Sequence, residues 1–238
     1  MDKFLLYNFL RRAVELVPDV LPLLSAKARQ ALKVTGTGDF NVFGEDVKKL
    51  VQKLYDKDIS GDEFKTQLEE IVRLQLINAY NAAWYDAIGN EDIPASLDKA
   101  LQDDIKTQLE FIDGYYEDII RDRALGMGLV LLLARADLWG ARGMESYNNA
   151  MLQIGSSDNA APNNLIWIEG DTIQKCNSCL ALDGIVAPAA LWDELGVYPQ
   201  MGDNPKLECH GWRCQCQLVV TDKPVTPNAR NKILTAVL

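Results

Sequence analysis

Histidine occurs once in the 238 residues, and cysteine is missing from all but the last third of the chain. Basic residues are also in deficit: 24 Lys and Arg stand against 34 Asp and Glu, a net charge of −10. That balance excludes a general nucleic-acid binder, which needs surplus cations to displace counterions from phosphates. No apolar run is long enough to cross a bilayer, which takes about 20 residues. The longest, Leu129 to Ala134, is cut by Arg135. No targeting segment is expected either, because "MDKFLLYNFLRRAVELV" carries charges on both sides of a short apolar run and lacks a small-residue cleavage site. Gly36 and Gly38 are followed by no Lys-Ser/Thr and preceded by no strand, so "TGTGDFNVFG" reads as a plain loop and not a phosphate cradle. With a single histidine and no recognisable nucleophile, the chain reads as a non-enzyme.

What is present divides the chain in two. The first part is helical in pattern. A helix is expected over residues 2–17, stopped by Pro18 and Pro22, and another over about 45–57. "SGDE" forms a capping box in which Ser60 and Glu63 satisfy each other's backbone N–H. Behind it Phe64, Leu68, Val72, Leu76, Ala79 and Ala83 fall at helical spacing, with Gly89 as the stop. A further stripe runs through Leu97, Leu101, Ile105, Leu109 and Ile112 and on past Gly114 to Ile119 and Ile120. Gly126 and Gly128 mark a joint before a long helix, inside which Gly140 and Gly143 suggest close packing against a neighbour. These stripes read as core.

"GSSDNAAPNN" is small, polar and aperiodic, and so reads as a linker. After it come short β-type runs, "NLIWIEG", "GIVAP" and "CQCQLVVTD", separated by turn residues. The expected fold is therefore α+β. Residues 1–154 form a helical domain, 155–222 a cysteine-rich β module, and 223–238 a C-terminal tail that docks on this chain or on a neighbour.

All five cysteines lie in that module. Cys176 and Cys179 form a C-x-x-C pair, read as lying on a turn, and Cys209, Cys214 and Cys216 form C-x4-C-x-C beside His210. This resembles two zinc-ribbon-like knuckles. Zinc takes four ligands, and six candidates are present. The preferred set is Cys176, Cys179, Cys209 and Cys214, with Cys216 or His210 as alternates. Strand alternation puts Cys214 and Cys216 on one face, so spacing does not rank them. A structural zinc would supply folding free energy that a module of this size lacks. A disulfide clip is the rival reading. A thioredoxin-type motif fits poorly, since "CNSC" should then open a helix and Gly184 follows closely. A zinc deaminase would need its histidine before the C-x-x-C. Cys209 and His210 are adjacent, and on a strand they would face opposite ways, which makes a poor Cys–His nucleophile pair.

The order of these residues is similar to that of a known family. "RADLWGARGMESYNNAM", a linker, "LIWIEGDTIQKCNSCLALDGIV", Trp192, and then "LECHGWRCQCQLVV" resemble the C-terminal region of phage head morphogenesis proteins of the Mu-type minor head family. The resemblance covers about residues 135–220 and is carried by Trp167, Asp171, Cys176, Cys179, Leu182, Gly184, Cys214 and Cys216. Many relatives place a histidine shortly before the C-x-C; here Cys209 or His210 stands there. The resemblance implies a structural component of a tailed-phage or prophage particle, present in few copies. It would be assembled in the host bacterial cytoplasm and located in the head. Its implied partners are the portal and major capsid proteins and other copies of itself, with no membrane and no sequence-specific nucleic-acid contact. The alternative is a zinc- or thiol-dependent enzyme, hydrolase or toxin-like, working through the same cysteines.

Overall fold

The computed structural model describes residues 40–89, 93–157, 163–170, 175–200, 204–211 and 214–237. The helix expected over 2–17 lies outside them. Among the described residues five helices come first: α1 (Phe40–Asp56), α2 (Gly61–Ile88), α3 (Ala95–Leu109), α4 (Phe111–Ala124) and α5 (Leu129–Ser156). α1 begins inside the stretch expected to be a loop. Phe43, Val47, Leu50, Val51 and Leu54 are all buried, a stripe that continues the helical period back through that stretch. Gly44 is an interhelical contact and not a breaker, since a Cβ built there would lie 3.8 Å from Gly140 Cα on α5. The expected close packing at Gly140 is thus against α1.

The capping box is formed: Glu63 N–H donates to Ser60 Oγ at 3.2 Å, and Ser60 N–H donates to the Glu63 carboxylate at 2.7 Å. The α2 stripe from Phe64 to Ala83 is buried throughout, and Gly89 closes the helix in the left-handed conformation at φ 79°. The next stripe is split between α3 and α4 at Glu110, and Ile120 at its far end is exposed. Arg135 on α5 then ties back to α4 through Asp122 at 2.5 Å and Asp118 at 2.6 Å. The buried Gln75 of α2 donates to the Trp139 and Gly140 carbonyls at 3.1 and 3.3 Å, fixing α2 against α5. One core cluster runs from Val47 to Ile154 across these helices.

The rest of the chain adds β1 (Asn164–Ile168), α6 (Asn177–Leu182), β2 (Val186–Pro188), α7 (Ala189–Leu195), β3 (Gln217–Thr221) and α8 (Ala229–Ala236). The three strands form an antiparallel sheet in the order β2-β1-β3, with Leu165 opposite Ala187 and Val220, and Trp167 opposite Leu218. The architecture of the described residues is α+β: mostly helical, with one small sheet. Leu165, Trp167 and Leu218 line a second core with Leu182, Trp192, Val197 and Ile233. The Trp167 and Trp192 rings lie 5.7 Å apart, and the Trp192 indole N–H donates to the Leu165 carbonyl at 3.3 Å. α8, from the tail, is docked here on its own chain through Ala229 and Ile233.

The two cores share a member. α5 continues through Ser156, past the expected boundary near 155, and its Leu152 belongs to the second cluster while Ile154 belongs to the first. Residues 158–162 of the expected linker are outside the described residues. The helix reaches so far because its later turns are packed from both sides. A Cβ on Gly155 would come within 2.8 Å of the Ala189 Cβ on α7.

Candidate metal centre

Four pieces of chain bring the five cysteines to one place. The first is α6. Cys176 is its N-cap, and its sulfur accepts the Cys179 N–H at 3.3 Å. The pair therefore opens a short helix and does not lie on a plain turn. That removes one objection to a thioredoxin-like reading, although the helix ends after six residues at Leu182. The second piece is the turn over 204–211. Asn204, buried, accepts Lys206 N–H at 3.1 Å and donates to the Gly196 and Tyr198 carbonyls at 3.3 and 3.4 Å. His210 N–H closes the turn onto the Leu207 carbonyl at 2.8 Å. His210 itself has φ 51° and is exposed.

The third piece is the approach to β3, on which Cys214 and Cys216 are both buried just before the strand begins at Gln217. Asn148, buried on α5, grips that approach, donating to the Cys216 carbonyl at 3.4 Å and accepting the Leu218 N–H at 2.9 Å. The fourth is Gly170, which follows β1. A Cβ there would fall inside the Gln215 backbone, so only glycine permits this approach. Across the cluster, the Glu208 carboxylate accepts the Asn177 N–H at 2.5 Å, and Ser178 Oγ accepts the Glu208 N–H at 3.1 Å. These bonds lock α6 to the Cys209 turn.

The sulfurs converge as a set. Cys179 Sγ lies 3.9 Å from Cys209 Sγ and 3.7 Å from Cys214 Sγ. Two groups of three, Cys176–Cys179–Cys209 and Cys179–Cys214–Cys216, each have all sulfurs within 4.8 Å of one another. For thiolates at about 2.3 Å from zinc, the edge of a tetrahedron is about 3.8 Å, so the two closest separations fit such an ion. All five cysteines are free thiols. His210, an alternate ligand by sequence, belongs to neither group.

The electrostatics point the same way. Hydrogen bonding from Cys179, with Cys214 and the Gly211 N–H adding to it, pulls the Cys209 thiol below its ordinary value. Cys179 and Cys214, aided by the Gly170 N–H and the Trp167 indole, pull Cys216 down likewise. Cys179 is pushed up by Cys209, Cys214, Cys216 and burial in turn. For Cys214, Cys179 pulls the thiol down, but Cys209, Cys216 and burial together win and push it up. Crowded sulfurs thus compete, some favoured and some disfavoured as thiolates. A soft cation at their centre would relieve that competition, because all its ligands could then ionise. The cluster could hold a metal ion.

Compared with known proteins, the chain matches no family model, no curated protein and no solved structure. The functional reading therefore rests on the motif residues and where the fold puts them. Of the motif series, Trp167, Cys176, Cys179, Leu182, Cys214 and Cys216 all belong to or pack against the second core, and Gly184 donates its N–H to the Trp167 carbonyl at 2.9 Å. Asp171 is outside the described residues. Sequence reasoning missed Asn148, Gly170, Asn204 and Glu208. Only Gly170 carried a signal, a glycine directly after a strand, which marks close backbone approach. Among the described residues, no helix is long and apolar enough to cross a membrane.

Proposed function

We propose that this chain is a structural minor head protein of a tailed bacteriophage or prophage, and that its cysteine cluster holds one zinc ion as a structural staple. The observation carrying the reading is the convergence of widely separated motif residues, Trp167, the Cys176–Cys179 pair and the Cys214–Cys216 pair, around a single group of thiols. The donor set fits zinc. Four thiolates make a closed structural site, and buried sulfur with N–H support is soft enough to favour zinc over the hard cations. The ligand set comes from three separate stretches of chain, so the ion would join α6, the Cys209 turn and the approach to β3. In this role the module is a zinc-ribbon-like anchor, and the helices supply the surface for the portal and major capsid proteins or for further copies of the chain. An acidic chain suits protein contacts made beside packaged DNA without adhesion to it.

Quantitative mass spectrometry of gradient-purified particles and proheads from the encoding phage or induced prophage tests the role. Low, fixed stoichiometry beside portal and major capsid protein supports it. Absence from both preparations sinks it and leaves the enzyme reading. Metal analysis separates the two chemistries: a structural site has four protein ligands and loses its fold with its metal, whereas a catalytic one keeps an open position.

A further inference from the structure

Five sulfurs meet where a tetrahedral ion takes four, and the geometry does not single out one spare. Cys179 is common to both groups of three, Cys209 lies 3.9 Å from it, and Cys214 lies 3.7 Å from it. Cys209 and Cys214 are thus the two sulfurs that meet Cys179 within 4 Å, one from each group of three. Cys176 closes the group on the Cys209 side and Cys216 closes it on the Cys214 side. We infer that the site holds its ion through two interchangeable four-thiolate sets, with Cys179, Cys209 and Cys214 in both and Cys176 and Cys216 exchanging at the fourth position. This rests on the zinc reading above.

Three features favour exchange over a fixed set. First, the Cys179 N–H donates to the Cys176 sulfur at 3.3 Å, so that sulfur is not left bare when it leaves the ion. Second, each is anchored independently of the other. Cys176 caps α6, which Glu208 fixes, while Cys216 is held through its carbonyl by Asn148. Third, five thiolates on one divalent ion would leave a net charge of about −3 in a largely buried site, against about −2 for four, and repulsion expels the fifth. The two states differ chemically. With Cys216 bound, the half-buried Cys176 at the module surface is a free thiol; with Cys176 bound, the free thiol is the buried Cys216.

The test uses the full chain, loaded with zinc for stoichiometry and with cobalt(II) as a spectroscopic substitute whose visible bands report the number of thiolates. Cys176→Ser and Cys216→Ser should each keep one metal per chain and a four-thiolate spectrum, with affinity reduced by no more than about tenfold. The double variant should drop to a three-thiolate spectrum and bind at least about a hundredfold more weakly. If either single variant alone falls to three thiolates, that cysteine is an obligatory ligand and the exchange is refuted. Alkylation of the unmutated zinc protein with iodoacetamide, followed by peptide mapping, gives a check that needs no variant. Cys176 should react while one zinc stays bound and Cys179, Cys209 and Cys214 stay protected. Protection of Cys176 equal to that of Cys209 would overturn the inference but leave a zinc site standing. A wild-type chain that binds neither zinc nor cobalt would instead remove the zinc reading itself.

Discussion

In the helical half, Phe64, Leu68, Val72, Leu76 and Tyr80 are buried along α2 alone, and helices on every side supply more. In the cysteine module, Trp167 and Trp192 are the largest fully buried side chains among the described residues, and all five thiols belong to or pack against the core they line. The first region has enough apolar surface to fold by burial. The second is a small sheet with short helices, and its polar crossings at Asn148, Asn204 and Glu208 supply ties that a larger core would not need. The contrast explains why soft, ionisable groups are gathered at one end of the chain. They stand where apolar side chains are scarce.

The contrast can be broken most sharply by a chelator. If the cluster holds the proposed zinc, stripping it from the full chain should unfold the module, with a contribution on the order of 10 kcal/mol removed. Trp167 and Trp192 emission should shift to the red while most far-ultraviolet helical signal remains. Loss of both signals together would show that the halves do not differ in what holds them. Phe64→Ala addresses the other half. It should cost about 3–5 kcal/mol, read as a lower midpoint in urea, with metal content unchanged. Next comes the link between them. Asn148→Ala leaves the Leu218 N–H and the Cys216 carbonyl without their buried partner and should cost about 1–3 kcal/mol. Unlike Phe64→Ala, it should also weaken zinc retention against a competing chelator.

The smallest expected effect is confined to the helices. Burial pushes the Glu145 carboxyl up to about 7, with Arg142 opposing and Asp104 assisting. Its folded pKa lies above the ordinary 4.5, so its penalty is absent at low pH and stability falls as pH rises from about 4.5 through about 7. Glu145→Gln should therefore raise the melting temperature by about 2–4 °C at pH 8 and leave it unchanged at pH 4. An equal rise at both pH values would mean that packing, not charge, is responsible.

Much of the helical half is legible in the sequence because its signals are local. Ser60 and Glu63 satisfy each other within one turn, and the α2 stripe needs only its own period. Gly44 misleads because a glycine that permits close helix packing looks the same in sequence as one that breaks a helix; Gly140, the residue it meets, is far away in the chain. The cysteines advertise a site through spacing alone, but not its composition. Whether His210 turns inward depends on the left-handed conformation at that position. That Cys214 and Cys216 both reach the cluster depends on how Gly170, just after β1, lets the chain approach Gln215. Asn148 is invisible for the same reason: one polar residue on a long helix has meaning only once β3 lies beside it.

α5 is a single helix of 28 residues, about 42 Å long, embedded in both cores. Mechanically it is an axle. A load on the cysteine module passes through Asn148 and Leu152 into the same rod that Ala136 and Trp139 seat among the other helices, with no hinge between Leu129 and Ser156 to absorb it. Twisting the module about that axis must therefore turn the helical face with it, so two ends of very different make-up move as one lever.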